Sequence, residues 1–363
     1  MKITDITLGR LRVPLKTPFK TAMRTVEHVD DVVVVIHTDD GHIGYGSAPA
    51  TAVITGDTHG SIIEAIRHYI APRIQGGDIA DLNRVTALIQ GALTGNTSAK
   101  AAVEIAIYDL WGQLYGAPIY QLLGGGKPTL CTDLTISVDG IDKMVSDSLD
   151  AVARGFTSLK VKVGKDITVD IDRVRAIHGA VGERASLRLD ANQGWTPREA
   201  VRALGIIEDA GIRLDLVEQP VKAHDLEGLR YVTERVATPV MADESVFGPA
   251  EAIEIIRLRA ADIINIKLMK AGGLSNALRI ADIAAVHGME CMIGCMLESS
   301  IGVAAAVHVA IATSHVITRV DLDAPSLCLF DPVDGGVTFN DANIRVNDTP
   351  GLGIRHIHGL ELT

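Results

Sequence analysis

Six charged residues fall in an order that suggests proton chemistry: Lys160, Lys162, Asp190, Glu218, Asp243 and Lys267. Three carboxylates drawn into one small space repel one another unless a cation joins them. Oxygen-only ligands favour a hard ion. Mg²⁺, with its near-octahedral preference and open positions for water or substrate, suits them best. A lysine on either side of a substrate held at such an ion could take a proton from one face of a carbon and return it on the other. The proton α to a carboxylate is a fitting target. Its removal builds a second negative charge beside the first, and a divalent cation offsets the charge of the resulting enediolate. Lys160 adds a further positive group. The lysine that acts as base must be neutral, and a neighbouring ammonium together with the metal lowers a lysine pKa toward about 7–8, where base catalysis is efficient.

These residues need a scaffold that brings distant positions together. In "SLKVKVGKD" Lys160 and Lys162 alternate with Leu159, Val161 and Val163. The period of two puts both lysines on one face of a strand. A wet edge strand would also explain that pattern, so the rest of the chain decides. The strands "TDLTIS", "LKVKV", "LRLDAN", "LDLVEQP", "PVMADES", "IINIKLMK", "CMIGCMLE" and "ITRVDLDAP" carry near their ends Thr135, Lys162, Asp190, Glu218, Asp243, Lys267, Cys295 and Asp323, at intervals of 24 to 28 residues. Helical segments such as "TPREAVRALGIIEDAG" fill the seven gaps. Eight alternations of strand and helix at so even a spacing predict a (β/α) barrel, with a doubly wound open sheet as the alternative. The active site of such a barrel lies at the C-terminal ends of its strands, where these residues fall. Lysines from strands 2 and 6 then face each other across the mouth, with the carboxylates of strands 3, 4 and 5 between them.

Residues 1–125 read as an α+β unit. "ITDITLGRLRVPL", "HVDDVVVVIHT" and the segment after Asp40-Gly41 are strands, and "KTPFKTAMRTVEH" between the first two reads as a loop. "TSAKAAVEIAIYDLWGQLYG" is apolar nearly all round, which predicts a buried helix ended by Gly116. Residues 126–325 form the barrel. No eighth helix follows strand 8, and the turn-rich residues 326–363 are expected to return to the N-terminal unit and complete it.

Composition narrows the partners. The 363 residues carry a net charge of −11 with mixed signs, which disfavours nucleic acid and anionic membranes. No apolar run spans a bilayer, and the first residues have no signal-peptide core. Cys131, Cys291, Cys295 and Cys328 have no zinc or redox spacing, which suits reduced thiols in a cytoplasmic protein.

The stretches "LKVKVG", "LRLDANQGW", "LVEQP", "MADES", "IKLMKAGG" and "SAKAAVEIAIYDL" together resemble the enolase superfamily in its muconate-lactonizing subgroup, over essentially the whole chain. The resemblance implies an N-terminal capping domain, a (β/α)7β TIM-like barrel and Mg²⁺. It assigns the metal to Asp190, Glu218 and Asp243, the two bases to Lys162 and Lys267, and assistance at the substrate carboxylate to Lys160. Within the subgroup the chain looks most like the dipeptide epimerases, on two further stretches. "DLDAP" puts Asp321 and Asp323 on one face at the end of strand 8, and "FKTAMRTV" puts Arg24 in the loop that closes over the barrel in this family. The implied reaction is epimerisation of L-Ala-L-Glu to L-Ala-D-Glu, the implied role is breakdown of murein peptides, and a homo-oligomer is expected. Ser47 stands where family members often have Glu, and Cys295 replaces a small polar residue.

Asp321 and Asp323 then read as a clamp for a substrate ammonium, and Arg24 as a bidentate partner for a carboxylate; a solvated strand end and an exposed loop cation are the plainer alternatives. Thr135 and Cys295 line the pocket. Glu244 is either an orienter of Lys267 or a helix cap. An N-acylamino acid racemase, an o-succinylbenzoate synthase or a muconate cycloisomerase would use the same scaffold, but their substrates lack a free ammonium where the aspartate pair stands. A non-catalytic Mg²⁺-binding barrel would have no use for lysines on both faces.

Overall fold

The computed structural model describes residues 1–21 and 24–363. Strands Ile3–Lys20 and Thr25–Thr38 form a long antiparallel hairpin, joined by Ile43–Pro49 on one edge and by Glu361–Leu362 on the other. The hairpin corrects the sequence-based loop. Phe19 pairs with Val26 and Lys20 with Thr25, after an irregularity that begins at Pro14. The polar segment is a ribbon that leaves the body of the sheet, so it needs no apolar alternation to remain paired.

The helix Thr97–Leu114 is buried along nearly its whole length, as its composition predicts. It lies so close to strand Ile43–Pro49 that a Cβ on Gly46 would meet the Ala102 carbonyl oxygen at 1.9 Å, and only glycine allows that approach. After Thr58 the chain is α-helical over His59–Glu64, π-helical over Ala65–Ile70 and α-helical again over Ala71–Ile74.

The barrel strands, numbered 1 to 8, are Leu134–Ile136, Ser158–Lys162, Ser186–Asp190, Leu214–Glu218, Val240–Ala242, Ile263–Lys267, Glu290–Gly294 and Ile317–Asp321. Each pairs in parallel with the next, in chain order. A helix fills each of the seven gaps, from Ile141–Ala153 to Ser300–Ala312, with a further one-turn helix Leu268–Ala271 after strand 6, and among the described residues only the one-turn helix Ala324–Leu327 follows strand 8. Leu159 and Val161 pack outward against the helices and are fully buried, so the aliphatic side of strand 2 builds core while its lysines face inward. Below the mouth, Leu216, Met241, Ile263 and Met292 fill the interior with apolar atoms.

The C-terminal segment returns to the capping unit. The Leu352 amide donates to Asp109 on the buried helix, and Glu361–Leu362 pairs with the first strand. It also pairs through Asn343–Val346 with Thr129–Cys131, so the first residues of the predicted barrel segment belong to a separate three-stranded sheet. No helix among the described residues is long and apolar enough to cross a membrane.

Candidate active site

Register decides which side chains reach the mouth. Lys162, Asp190 and Glu218 are the last residues of strands 2, 3 and 4 and lie side by side in the ladder. Asp243 follows strand 5, and Lys267 ends strand 6, four places round the barrel from Lys162. Lys160 Nζ lies 3.1 Å from Asp190 Oδ2, 2.8 Å from Glu218 Oε2 and 2.7 Å from Asp321 Oδ2. Lys162 Nζ contacts Asp190 Oδ2 and donates to Asn192 Oδ1 at 3.3 Å. Lys267 Nζ is 2.7 Å from Asp243 Oδ2 and 3.7 Å from Glu218 Oε1. All six predicted residues are buried, which excludes the wet edge strand.

Three partners were not singled out in the sequence. Lys270 Nζ lies 2.6 Å from Asp243 Oδ1 and donates to the Asn265 carbonyl, while Asn265 Nδ2 donates to Glu218 Oε1 at 2.9 Å. Asn192 Nδ2 donates to Glu244 Oε1 at 3.3 Å. Glu244 therefore hydrogen-bonds toward the Lys162 side through Asn192, and it acts on Lys267 through charge rather than through a hydrogen bond. Positions two after Asp190 and three after Lys267 were the available signals, in "LDAN" and "KLMK".

Lys160 and Lys267 are held charged. Burial would lower Lys267, but Asp243 and Glu218 overcome it and raise its pKa above the ordinary lysine value; Asp321, Glu218 and Asp190 do the same for Lys160. The expected lowering is thus not produced at Lys160 or Lys267 by the protein groups alone, because the carboxylates outweigh burial and the neighbouring ammonium, whereas burial does lower Lys270. Burial would also raise Asp190, yet Lys162 and Lys160 hold it down at about 2. Burial and the Asp190 charge push Glu218 up to about 7.

Among the described residues no three acidic, histidine or cysteine side chains are gathered as they stand into a metal cage. The donor chemistry nevertheless fits a hard cation. Asp190, Glu218 and Asp243 offer only oxygen. Glu218 Oε2 and Asp243 Oδ1 are buried beside ammonium groups without a well-formed hydrogen bond.

The remaining predicted residues surround one cavity of about 50 Å³, lined also by Phe19, Ile54 and Leu297. Thr135, Cys295, Asp321, Asp323 and Arg24 all reach it. Asp323 is not on the strand: strand 8 ends at Asp321, and Asp323 begins the short helix, with Oδ2 accepting from the Thr135 amide at 2.7 Å. A strand-like alternation continued past Asp321 would miss this turn. Arg24 is partly buried, its pKa lowered by burial, and its guanidinium makes no ion pair among the described residues. Ala22 of the same predicted loop lies outside the described residues. A larger hollow of about 790 Å³ lies at the opposite mouth, around Arg213 and Arg319, away from the lysine and carboxylate cluster.

Residues 3–124 match the mandelate racemase/muconate lactonizing enzyme N-terminal domain, and residues 143–357 match the enolase C-terminal domain-like family. The L-Ala-D/L-Glu epimerase of Clostridium acetobutylicum is 55% identical over 99% of this chain and 100% of its own length. The substrate-liganded L-Ala-D/L-Glu epimerase from Bacillus subtilis superposes with a TM-score of 0.96 at 49% identity, covering 98% of this chain and 99% of that one. The dipeptide epimerase from Enterococcus faecalis, complexed with Mg and L-Leu-L-Tyr, gives a TM-score of 0.94 at 42% identity over 98% and 100% of the two chains. The chain belongs to the mandelate racemase/muconate lactonizing enzyme family of the enolase superfamily, among its dipeptide epimerases.

Proposed function

We propose that the chain epimerises L-Ala-L-Glu and L-Ala-D-Glu at the Cα of the second residue, by a two-base 1,1-proton transfer. The observation that carries the mechanism is the placing of Lys162 and Lys267 on opposed strands, with the carboxylates of strands 3 to 5 between them. Lys162 takes the proton of the L-epimer and Lys267 that of the D-epimer; in each direction the other lysine, as its ammonium, donates a proton to the opposite face. Mg²⁺ held by Asp190, Glu218 and Asp243 would supply positive charge to the substrate carboxylate as the second negative charge develops there. Around that centre four ammonium groups (Lys160, Lys162, Lys267, Lys270) meet four carboxylates (Asp190, Glu218, Asp243, Asp321). Added positive charge favours loss of a proton from one lysine, which makes it a base. Lys160 stays charged and pairs with the substrate carboxylate.

The ends of the dipeptide select the substrate. Asp321 and Asp323, both buried at the cavity wall, receive the ammonium beside Thr135 and Cys295. Arg24 receives the γ-carboxylate. The Enterococcus faecalis relative holds L-Leu-L-Tyr, so second-residue preference varies within the family; here the unpaired Arg24 guanidinium favours Glu. The four free thiols accord with a reducing cytoplasmic setting. Deuterium exchange at Cα in D₂O, followed by NMR over a small dipeptide panel, tests the reading. It requires exchange and epimerisation of L-Ala-L-Glu above the aliphatic and cationic dipeptides, and a preference for L-Ala-L-Lys would overturn the substrate assignment.

A further inference from the structure

The barrel closes differently at one place. Seven neighbouring pairs of strands share parallel ladders, but among the described residues no ladder joins strand 1 to strand 8. Isolated contacts cross that seam instead. The Asp133 amide donates to the Val320 carbonyl at 3.3 Å, the Leu322 amide to Thr132 Oγ1 at 2.8 Å, and the Thr135 amide to Asp323 Oδ2 at 2.7 Å. Thr135, Asp321 and Asp323, the three polar residues assigned to the substrate ammonium, all flank the seam.

One side chain reaches both sides of it from below. Arg188 stands on strand 3, two residues before Asp190. Its Nη1 donates to Asp133 Oδ2 at 2.8 Å and to the Val320 carbonyl at 3.1 Å, and its Nε donates to Asp215 Oδ2 at 2.8 Å. Asp215 is held in turn by Arg319, whose Nε lies 3.1 Å from Asp215 Oδ1. Arg188 and Asp133 are buried, and Asp133 Oδ1 has no hydrogen-bond partner. A planar guanidinium can serve a carboxylate and a carbonyl on one side and a second carboxylate on the other. An ammonium on a flexible stem cannot hold that fork geometry.

We propose that Arg188 is a positioning residue for recognition of the substrate's amino terminus: anchored on Asp133 and Asp215, it bridges strands 1 and 8 and fixes the spacing of Thr135, Asp321 and Asp323. This rests on the reading of Asp321 and Asp323 as the ammonium site. The ammonium is remote from the reacting Cα, so a clamp set out of place weakens uniform binding of the free dipeptide and leaves the proton transfer largely intact.

The test compares L-Ala-L-Glu with N-acetyl-L-Ala-L-Glu on the wild type, Arg188→Lys and Asp133→Asn, each checked for a cooperative thermal transition. In the wild type the free dipeptide should have the higher kcat/KM by at least about tenfold. In both variants this ratio should shrink by at least about fivefold, through a rise in KM for the free dipeptide with kcat within about twofold. General loosening of the fold would lower both substrates alike and leave the ratio standing. Should Arg188→Lys fail to fold, Asp133→Asn decides alone, since it keeps side-chain size and an acceptor for Arg188 while removing the anion. A wild type that treats both substrates equally overturns the ammonium reading and this proposal with it. A discriminating wild type with equally discriminating folded variants overturns this proposal only.

Discussion

Lys160 Nζ donates to Asp321 Oδ2 at 2.7 Å, joining strand 2 to strand 8 across the mouth of the barrel. The same ammonium is 2.8 Å from Glu218 and 3.1 Å from Asp190. One cation thus links the groups assigned to the substrate's amino terminus with those assigned to the metal. On the proposed reading, a dipeptide that brings its own ammonium to Asp321 would compete with Lys160 for that carboxylate and free Lys160 for the substrate's α-carboxylate.

Removal of the ammonium should therefore be costly. N-acetyl-L-Ala-L-Glu leaves Asp321 and Asp323 without the incoming cation in a desolvated pocket, where loss of one partner of a charged pair costs about 2–5 kcal/mol. The expected loss in kcat/KM is at least about tenfold, since about 1.4 kcal/mol corresponds to tenfold. Equal turnover of the acetylated and free dipeptides would place the chain with the acylamino-acid racemases.

Arg24 should set the preference for the second residue. Arg24→Met is expected to lower kcat/KM for L-Ala-L-Glu by about 1.5–3 kcal/mol, the usual worth of a hydrogen bond to a charged group. The change for L-Ala-L-Leu should be much smaller, so the preference flattens or inverts. An equal slowing of all dipeptides in a kinetic panel would make Arg24 a structural residue of the hairpin end.

The legibility of these features in the sequence was uneven, for physical reasons. The even spacing of strand ends made the barrel and its six central residues readable, because parallel strands buried on both faces are mostly apolar and leave a polar residue near each C-terminal end conspicuous. The hairpin end was misread because Lys16, Thr17 and Lys20 lie on a ribbon outside the core and carry no apolar signal. Asp323 was misplaced because the strand stops two residues before it. Lys270 and Asn192 escaped because their work is contact with other polar side chains, which spacing alone does not reveal.

Metal dependence should be complete. Exhaustive chelation is expected to abolish epimerisation, and added Mg²⁺ to restore it. Asp243→Asn should weaken Mg²⁺ binding measured by calorimetry, independent of turnover. Full activity after chelation would remove the role given to Asp190, Glu218 and Asp243.

Stability should respond to pH through Glu298, buried after strand 7. Burial and the nearby Asp31 charge push its carboxyl up to about 8, while its Oε1 accepts from the Met296 amide. Between the ordinary carboxyl range and about pH 8 the folded chain therefore binds more protons here than the unfolded chain. This group's contribution to stability then falls as pH rises through that window. Glu298→Gln keeps the acceptor and needs no proton, so it should be more stable than the wild type by roughly 3 kcal/mol at pH 7 and by more at pH 8, with the difference vanishing near pH 4. Thermal melts across that range check it; a constant difference at every pH would contradict it.

The most direct measurement is single-base exchange. Lys162→Ala and Lys267→Ala, loaded with Mg²⁺, are incubated in D₂O with L-Ala-L-Glu and separately with L-Ala-D-Glu, and Cα deuteration is followed by NMR. With Lys162 removed, the D-epimer should still exchange its Cα proton through Lys267 while the L-epimer does not. With Lys267 removed, only the L-epimer should exchange, and neither variant should epimerise. Epimerisation by either variant near the wild-type rate, or exchange of both epimers by one variant, would contradict two bases acting on opposite faces.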